Sequence, residues 1–282
     1  MTSPPKSPAA EFLREVRRRD DEIDLARAAL YVARETYPQL QVSAYLSRLD
    51  LLAEEVRDRL SNESAPMVLL QELRTTLFDR HGFRGNRENY YDPRNSFLSD
   101  VLDRRVGIPL TLGILVLEVG WRLGLDVEGV NFPGHFLVRF RGEEFDLLVD
   151  AFEEGRLRFE DEAQEMLDRG YGGLIRLRPE FLKATGRRAM LVRLLTNLKG
   201  VYLGLEDYER ALSMVDHILA LQPTATGEIR TRGTLLARLG RDREAREHLE
   251  SYLERVPSGP ESERIRALLQ DLRESKREGR ER

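Results

Sequence analysis

Residues 107–150 run Gly107-Ile-Pro-Leu-Thr111-Leu-Gly-Ile-Leu-Val-Leu-Glu-Val-Gly-Trp121-Arg-Leu-Gly124, then Val127-Glu-Gly-Val-Asn131-Phe-Pro-Gly-His135-Phe-Leu-Val-Arg-Phe140, and close on Phe145-Asp-Leu-Leu-Val-Asp150. From Leu110 to Leu123 the pattern is apolar nearly all round, which predicts a buried central helix, with Gly124 as its terminator. Two short apolar runs, Phe136–Phe140 and Phe145–Asp150, flank Arg141-Gly142-Glu143-Glu144, a hairpin signal. The order is therefore a buried helix, a strand ending at a lone histidine, a second strand, a hairpin turn, and a strand ending at an aspartate.

In thiol acyl-transfer enzymes a histidine activates the nucleophile and a carboxylate orients the histidine. His135 and Asp150 stand in suitable places, yet the 282-residue chain contains no cysteine. Thr111, in the first turn of the central helix, is the hydroxyl that would gain from exposed backbone N–H groups and the helix dipole. Its other reading is a first-turn residue with its hydroxyl bonded to backbone. An alcohol is harder to deprotonate than a thiol, so a catalytic Thr111 needs a well-placed base. His135 is either one half of a pair or a hydrogen-bonded structural residue. Asp150 is its expected partner or a turn residue, with Asp146 as the competitor.

The segments upstream read as helices. Ile23, Ala26, Leu30, Ala33 and Tyr37 share a face; Val42, Tyr45, Leu46, Leu49, Ala53, Val56 and Leu60 share another; a third helix spans Pro66 to Phe78. An aromatic and polar loop follows, Asn86-Arg-Glu-Asn-Tyr90-Tyr91-Asp-Pro-Arg-Asn95-Ser96. Loops of this kind, held by a packed core, often carry binding residues. Asn95, Ser96 and, at the strand end, Asn131 are the candidate ligand contacts, and Ser96 is a second candidate nucleophile.

The last third is governed by a 34-residue spacing. Ala211 and Ala245 share it, as do Pro223 and Pro257. Small residues at a helix crossing and a proline at the end of each unit mark tetratricopeptide repeats. Leu195, Leu198, Tyr202, Val215 and Ile218 fill the first repeat; Ile229, Gly233, Leu236, Leu249 and Tyr252 fill the second; Ile265, Leu268, Leu269 and Leu272 suit a capping helix. Two repeats are few for a free-standing array, so they are expected to pack on the domain before them. The expected division is a disordered lead-in at 1–15, a core with N-terminal helices at 16–182, repeats and cap at 183–274, and a charged tail at 275–282.

The composition is 41% hydrophobic and 33% charged, with a net charge of −4 and both signs mixed. No basic footprint for nucleic acid is present. No apolar run is long enough to span a bilayer. No Gly-rich phosphate loop and no paired histidine spacing appears, so neither a nucleotide cofactor nor a metal site is expected. The absence of cysteine suits a reducing compartment, and the start lacks the apolar segment of a secretory signal, so a cytoplasmic protein is expected.

The runs Tyr90-Tyr-Asp-Pro-Arg-Asn-Ser96-Phe-Leu, Val101-Leu-Asp-Arg-Arg-Val-Gly-Ile-Pro-Leu-Thr111-Leu and Gly129-Val-Asn-Phe-Pro-Gly-His-Phe-Leu-Val138 resemble the bacterial SirB-type family, a transglutaminase-like core followed by tetratricopeptide repeats. The resemblance spans about residues 25–255. It implies the papain-like α+β fold and places Thr111 where that superfamily has its cysteine, His135 at the histidine and Asp150 at the aspartate. Two functions then compete. One is a non-catalytic domain that binds a peptide or protein in the old substrate cleft, a regulatory scaffold with the repeats as a second groove. The other is a hydrolase or acyl transferase using Thr111 or Ser96. A hydroxyl within hydrogen-bond reach of His135 favours the enzyme; a hydroxyl turned into helix backbone favours the binder. The oligomeric state is not legible.

Overall fold

A computed structural model describes residues 8–60, 65–142 and 146–278. They form two compact units, one reaching Leu194 and one starting at Leu195.

The first unit begins inside the expected lead-in. α1 (Pro8–Val16) is helical and buries Phe12 and Val16. These two apolar residues, four apart on one face, find a partner in α2 (Leu25–Thr36), which the prolines nearby did not suggest. Residues 1–7 lie outside the described part. Asp24 caps α2, accepting from the Arg27 amide at 2.9 Å. α3 (Val42–Asp58) and α4 (Pro66–Arg74) follow, and α4 runs on as a π-helical turn over Thr75–Arg80 that buries Leu77 and Phe78.

β1 (Arg84–Gly85), α5 (Leu98–Arg104) and β2 (Val106–Gly107) come next. β1 and β2 pair in parallel and so close the aromatic-polar loop at its base. α6 (Pro109–Arg122) is the central helix, and every residue from Pro109 to Gly120 is buried. An all-round apolar sequence has no polar face to turn outward, so the helix takes neighbours on every side. Those neighbours are α2, α3, α4 and α5 together with two strands of the sheet.

That sheet is antiparallel, of strand order β6-β5-β4-β3-β7, built from β3 (Val127–Val130), β4 (Leu137–Phe140), β5 (Leu147–Asp150), β6 (Arg156–Arg158) and, after α7 (Ala163–Tyr171), β7 (Ala184–Thr185). β3 and β4 register Val130 with Leu137, and β4 and β5 register Val138 with Val149. Residues 143–145 of the expected turn and strand lie outside the described part. Gly113 lets α6 approach the sheet: a Cβ there would stand 2.6 Å from Phe136 Cε1. β7 pairs with β3, Gly129 opposite Thr185. The sheet therefore extends beyond residue 182, and the boundary between units falls later than the expected 182/183.

The second unit holds the end of α8 (Arg187–Gly204), then α9 (Tyr208–Leu221), α10 (Thr226–Arg238), α11 (Asp242–Arg255) and α12 (Pro260–Glu278). Ala211 and Ala245 are fully buried, and Gly233 sits so close to Leu249 that a Cβ would meet its side chain at 2.6 Å. Small residues at these points let paired helices approach, as the 34-residue spacing predicts. α12 buries Ile265 and Leu269 against α11 residues. It continues past the expected tail boundary at 274, and residues 279–282 lie outside the described part. The fold is α+β followed by an all-α repeat region.

Candidate functional site

The turn between β3 and β4 places His135. The His135 amide donates to Phe132 O at 3.0 Å, and Gly134 takes a left-handed φ of 68°. A side chain at Gly134 would be strained by that φ and would also meet the Tyr171 hydroxyl at 2.7 Å. β5 delivers Asp150 at its end. His135 Nε2 lies 2.8 Å from Asp150 Oδ1, the hydrogen bond expected for an oriented imidazole. Asp150 Oδ1 also accepts from the Glu153 amide at 3.2 Å, and its Oδ2 faces Arg158 Nε at 3.6 Å. Burial pushes the Asp150 carboxyl up. The hydrogen bond and charge of His135, the Glu153 amide and Arg158 outweigh it and hold the group below the ordinary carboxylate range. Asp146 does not compete: it faces Arg141 at 3.5 Å and Arg139 at 3.7 Å.

The aromatic wall of the site comes from loops. Phe152 stands edge-on to His135 at a centroid distance of 6.0 Å and to Tyr90 at 6.2 Å. Beside Phe152 opens a polar cavity of about 470 Å³ whose lining includes Asn86, Arg87, Asp92 and Arg104. His135 keeps 18% of its side chain exposed while Asp150 keeps 1%, so the imidazole is presented from a buried carboxylate.

Thr111 takes the structural alternative. It is 1% exposed, and its hydroxyl donates to Asn95 O at 2.6 Å while accepting from the Ile108 amide at 3.2 Å. A hydroxyl has one proton, and that proton is directed at the loop carbonyl rather than at His135. Asn95, a candidate ligand contact, is likewise turned inward. It is fully buried, gives its amide hydrogens to Asn89 O (2.7 Å) and Tyr90 O (3.1 Å), and accepts from Asn86 Nδ2 at 2.9 Å. It shapes the loop that carries Tyr90. Asn95→Ala is expected to cost about 1–3 kcal/mol in urea denaturation, because a buried side chain that makes three hydrogen bonds to the loop is lost. Ser96 is 3% exposed, so it too lies below the surface that a ligand would meet. Asn131 is differently placed. Its amide donates to Thr185 Oγ1 at 3.1 Å, and its Oδ1 accepts from Arg193 Nη1 at 3.0 Å.

Arg193, Phe152 and Tyr171 carry no local signal in the sequence and reach the site only through tertiary folding. Tyr90 belongs to a loop whose aromatic and polar composition does mark it. The other histidines are dispersed: His81 bonds Glu55 at 2.7 Å and His217 bonds Ser213 O at 2.8 Å. Among the described residues no cluster of three metal-ligating side chains occurs.

A family model described as the transglutaminase-like superfamily matches residues 43–196, more than half of the chain. The chain belongs to the transglutaminase-like superfamily. A tetratricopeptide-repeat model matches residues 198–270. Within the superfamily the sequence falls in the bacterial SirB-type group. It is 35% identical over 256 residues to the UPF0162 protein of Xylella fastidiosa (strain 9a5c), covering 90% of this chain and 91% of the relative. It is 29% identical over 253 residues to the UPF0162 protein of Vibrio cholerae, covering 89% and 93%. A shorter likeness, 40% over 96 residues, joins 31% of this chain to 15% of the human F-box only protein 21. In this transglutaminase-like chain the histidine and the acid stand together, and the hydroxyl of Thr111 is engaged elsewhere.

Proposed function

We propose that this protein is a non-catalytic transglutaminase-like and tetratricopeptide scaffold that binds a peptide or protein partner in the cytoplasm. The observation that carries the reading is the direction of the Thr111 hydroxyl, which is buried and bonded to Asn95 O with no hydrogen bond to His135. With no cysteine in the sequence, there is no thiol for the imidazole to activate. The polar cavity beside Phe152 and the repeat region support binding, since paired helices of this kind offer concave surfaces to other proteins. The absence of cysteine suits the reducing cytoplasm. Among the described residues no helix is long and apolar enough to cross a membrane.

A second reading, a hydrolase or acyl transferase, is favoured by one observation, the intact His135–Asp150 pair. A single substitution separates the two. Thr111→Cys is expected to yield a thiol that reacts slowly with iodoacetamide and is indifferent to His135→Gln, because a buried side chain that faces the Asn95 carbonyl and not the imidazole gains no thiolate character. A fast, His135-dependent thiol would place residue 111 at the site, and labelling of wild-type Thr111 by a hydroxyl-directed probe would make the protein an enzyme. Binding is tested by affinity capture from bacterial extract, with and without residues 198–270. A specific partner retained by the intact protein is expected, and capture of none would sink the scaffold.

A further inference from the structure

Arg193 stands beside the histidine turn without a counter-charge. Its guanidinium donates to Asn131 Oδ1 at 3.0 Å and lies over the Phe136 ring, 5.8 Å from the centroid. It therefore touches both ends of the six-residue turn, Asn131 to Phe136, that presents His135. Arg122, Arg139 and Arg158 each face at least one carboxylate. Arg193 pairs with no Asp or Glu among the described residues, and the titratable groups near enough to act on it are the phenols of Tyr90 and Tyr171, neutral at pH 7. Burial holds its pKa below the ordinary guanidinium value, with the two phenols opposing weakly. A partly desolvated cation held by a neutral amide, with most of its N–H donors uncommitted, is costly to the fold and suited to an incoming anion.

We infer that Arg193 and Asn131, with Tyr90 and Tyr171 in the same neighbourhood, form a subsite for a carboxylate of a bound peptide on the turn that presents His135. The inference rests on the peptide-binding reading given above and names what that cleft selects. A lone guanidinium balances one negative charge, and its planar fork matches the two oxygens of a carboxylate. A phosphate dianion would leave a second charge uncompensated. Asn131 fixes the fork. The subsite is open: Tyr90 is 40% exposed, and Arg193 and Tyr171 are each partly exposed. The carboxylate can come from the free C-terminus of the peptide or from one of its Glu or Asp side groups.

The protein has four histidines, so the ring resonances of ¹³C-histidine-labelled full-length material are few, and His135 is assigned by His135→Gln. Three peptides serve as probes: acetyl-Ala-Ala-Ala with a free C-terminus, its C-terminal amide, and acetyl-Ala-Glu-Ala amide, with inorganic phosphate as a fourth. The expected result is a saturable shift of the His135 signal with one or both carboxylate-bearing peptides, about ten-fold tighter than with the amide. Which of the two binds identifies the source of the carboxylate. Arg193→Met should bring that peptide down to the affinity of the amide, and Arg193→Lys, which keeps charge without the fork, should lose less. Arg193→Met should also melt no lower than wild type, since it removes an unpaired cation; if it does not fold, Asn131→Ala carries the same test. Equal binding of amide and acid would overturn the carboxylate subsite and leave peptide binding standing. A phosphate response as strong as that of the peptides would also overturn it. No response to any peptide would overturn both.

Discussion

Asp150→Ala is expected to destabilise the first unit by about 3–5 kcal/mol at pH 7, measured by urea denaturation. The carboxylate is fully buried and lies against Arg158, itself 4% exposed, whose other carboxylate, Glu162, stands 3.8 Å away. Removing Asp150 leaves that guanidinium undercompensated in the interior and frees the His135 ring. Asp150→Asn keeps the shape and can still accept from His135 and the Glu153 amide, so its cost should be smaller, about 1–3 kcal/mol. The pH dependence follows from the depressed carboxyl. Because the folded pKa lies below the ordinary 3.8, the unfolded state binds the proton more readily in that interval. The stabilisation by Asp150 is complete above about 3.8 and disappears as pH falls through the folded value. The gap between wild type and Asp150→Asn should therefore close in acid. A gap that persists unchanged at the lowest pH that retains the fold would mean the charge of Asp150 contributes nothing.

Phe136→Ala should cost a similar amount, about 3–5 kcal/mol, for a different reason. The ring is fully buried between Gly113 of α6 and Gly129 of β3; a Cβ at Gly129 would stand 2.8 Å from Phe136 Cζ. Alanine leaves a cavity where helix and sheet meet. The converse change, Gly113→Ala, gains about 1 kcal/mol of helix propensity but drives a methyl into the ring, so a net loss is expected. Phe136→Leu should partly relieve that loss, giving a coupling of about 0.5–3 kcal/mol in a double-mutant cycle. Strict additivity would show that the two positions do not share the contact. The prediction also bears on the site, because Phe136 follows His135 directly and Arg193 rests on its ring.

The residues legible in the sequence are those whose partners lie nearby or whose pattern is periodic. The all-apolar run of α6 can only be a buried helix, and the 34-residue spacing of Ala211 and Ala245 can only be kept by repeated helix pairs. His135 and Asp150 could be paired on paper because neighbouring antiparallel strands bring them together within 15 residues. The helix at Pro8–Val16 was not legible, since Pro4, Pro5 and Pro8 in the first ten residues argue for disorder and its apolar pair needed α2 as a partner.

What the sequence decided by itself was the buried central helix, the repeat architecture and the absence of a thiol, all properties of composition and short-range period. Tertiary structure alone decided how the polar groups are spent. Thr111 turns to a carbonyl 16 residues away, and Asn95 is consumed by its own loop. Arg193 arrives beside Asn131 from 62 residues downstream. A hydroxyl or guanidinium bonds to whatever long-range packing places within about 3 Å, and no local pattern encodes that choice.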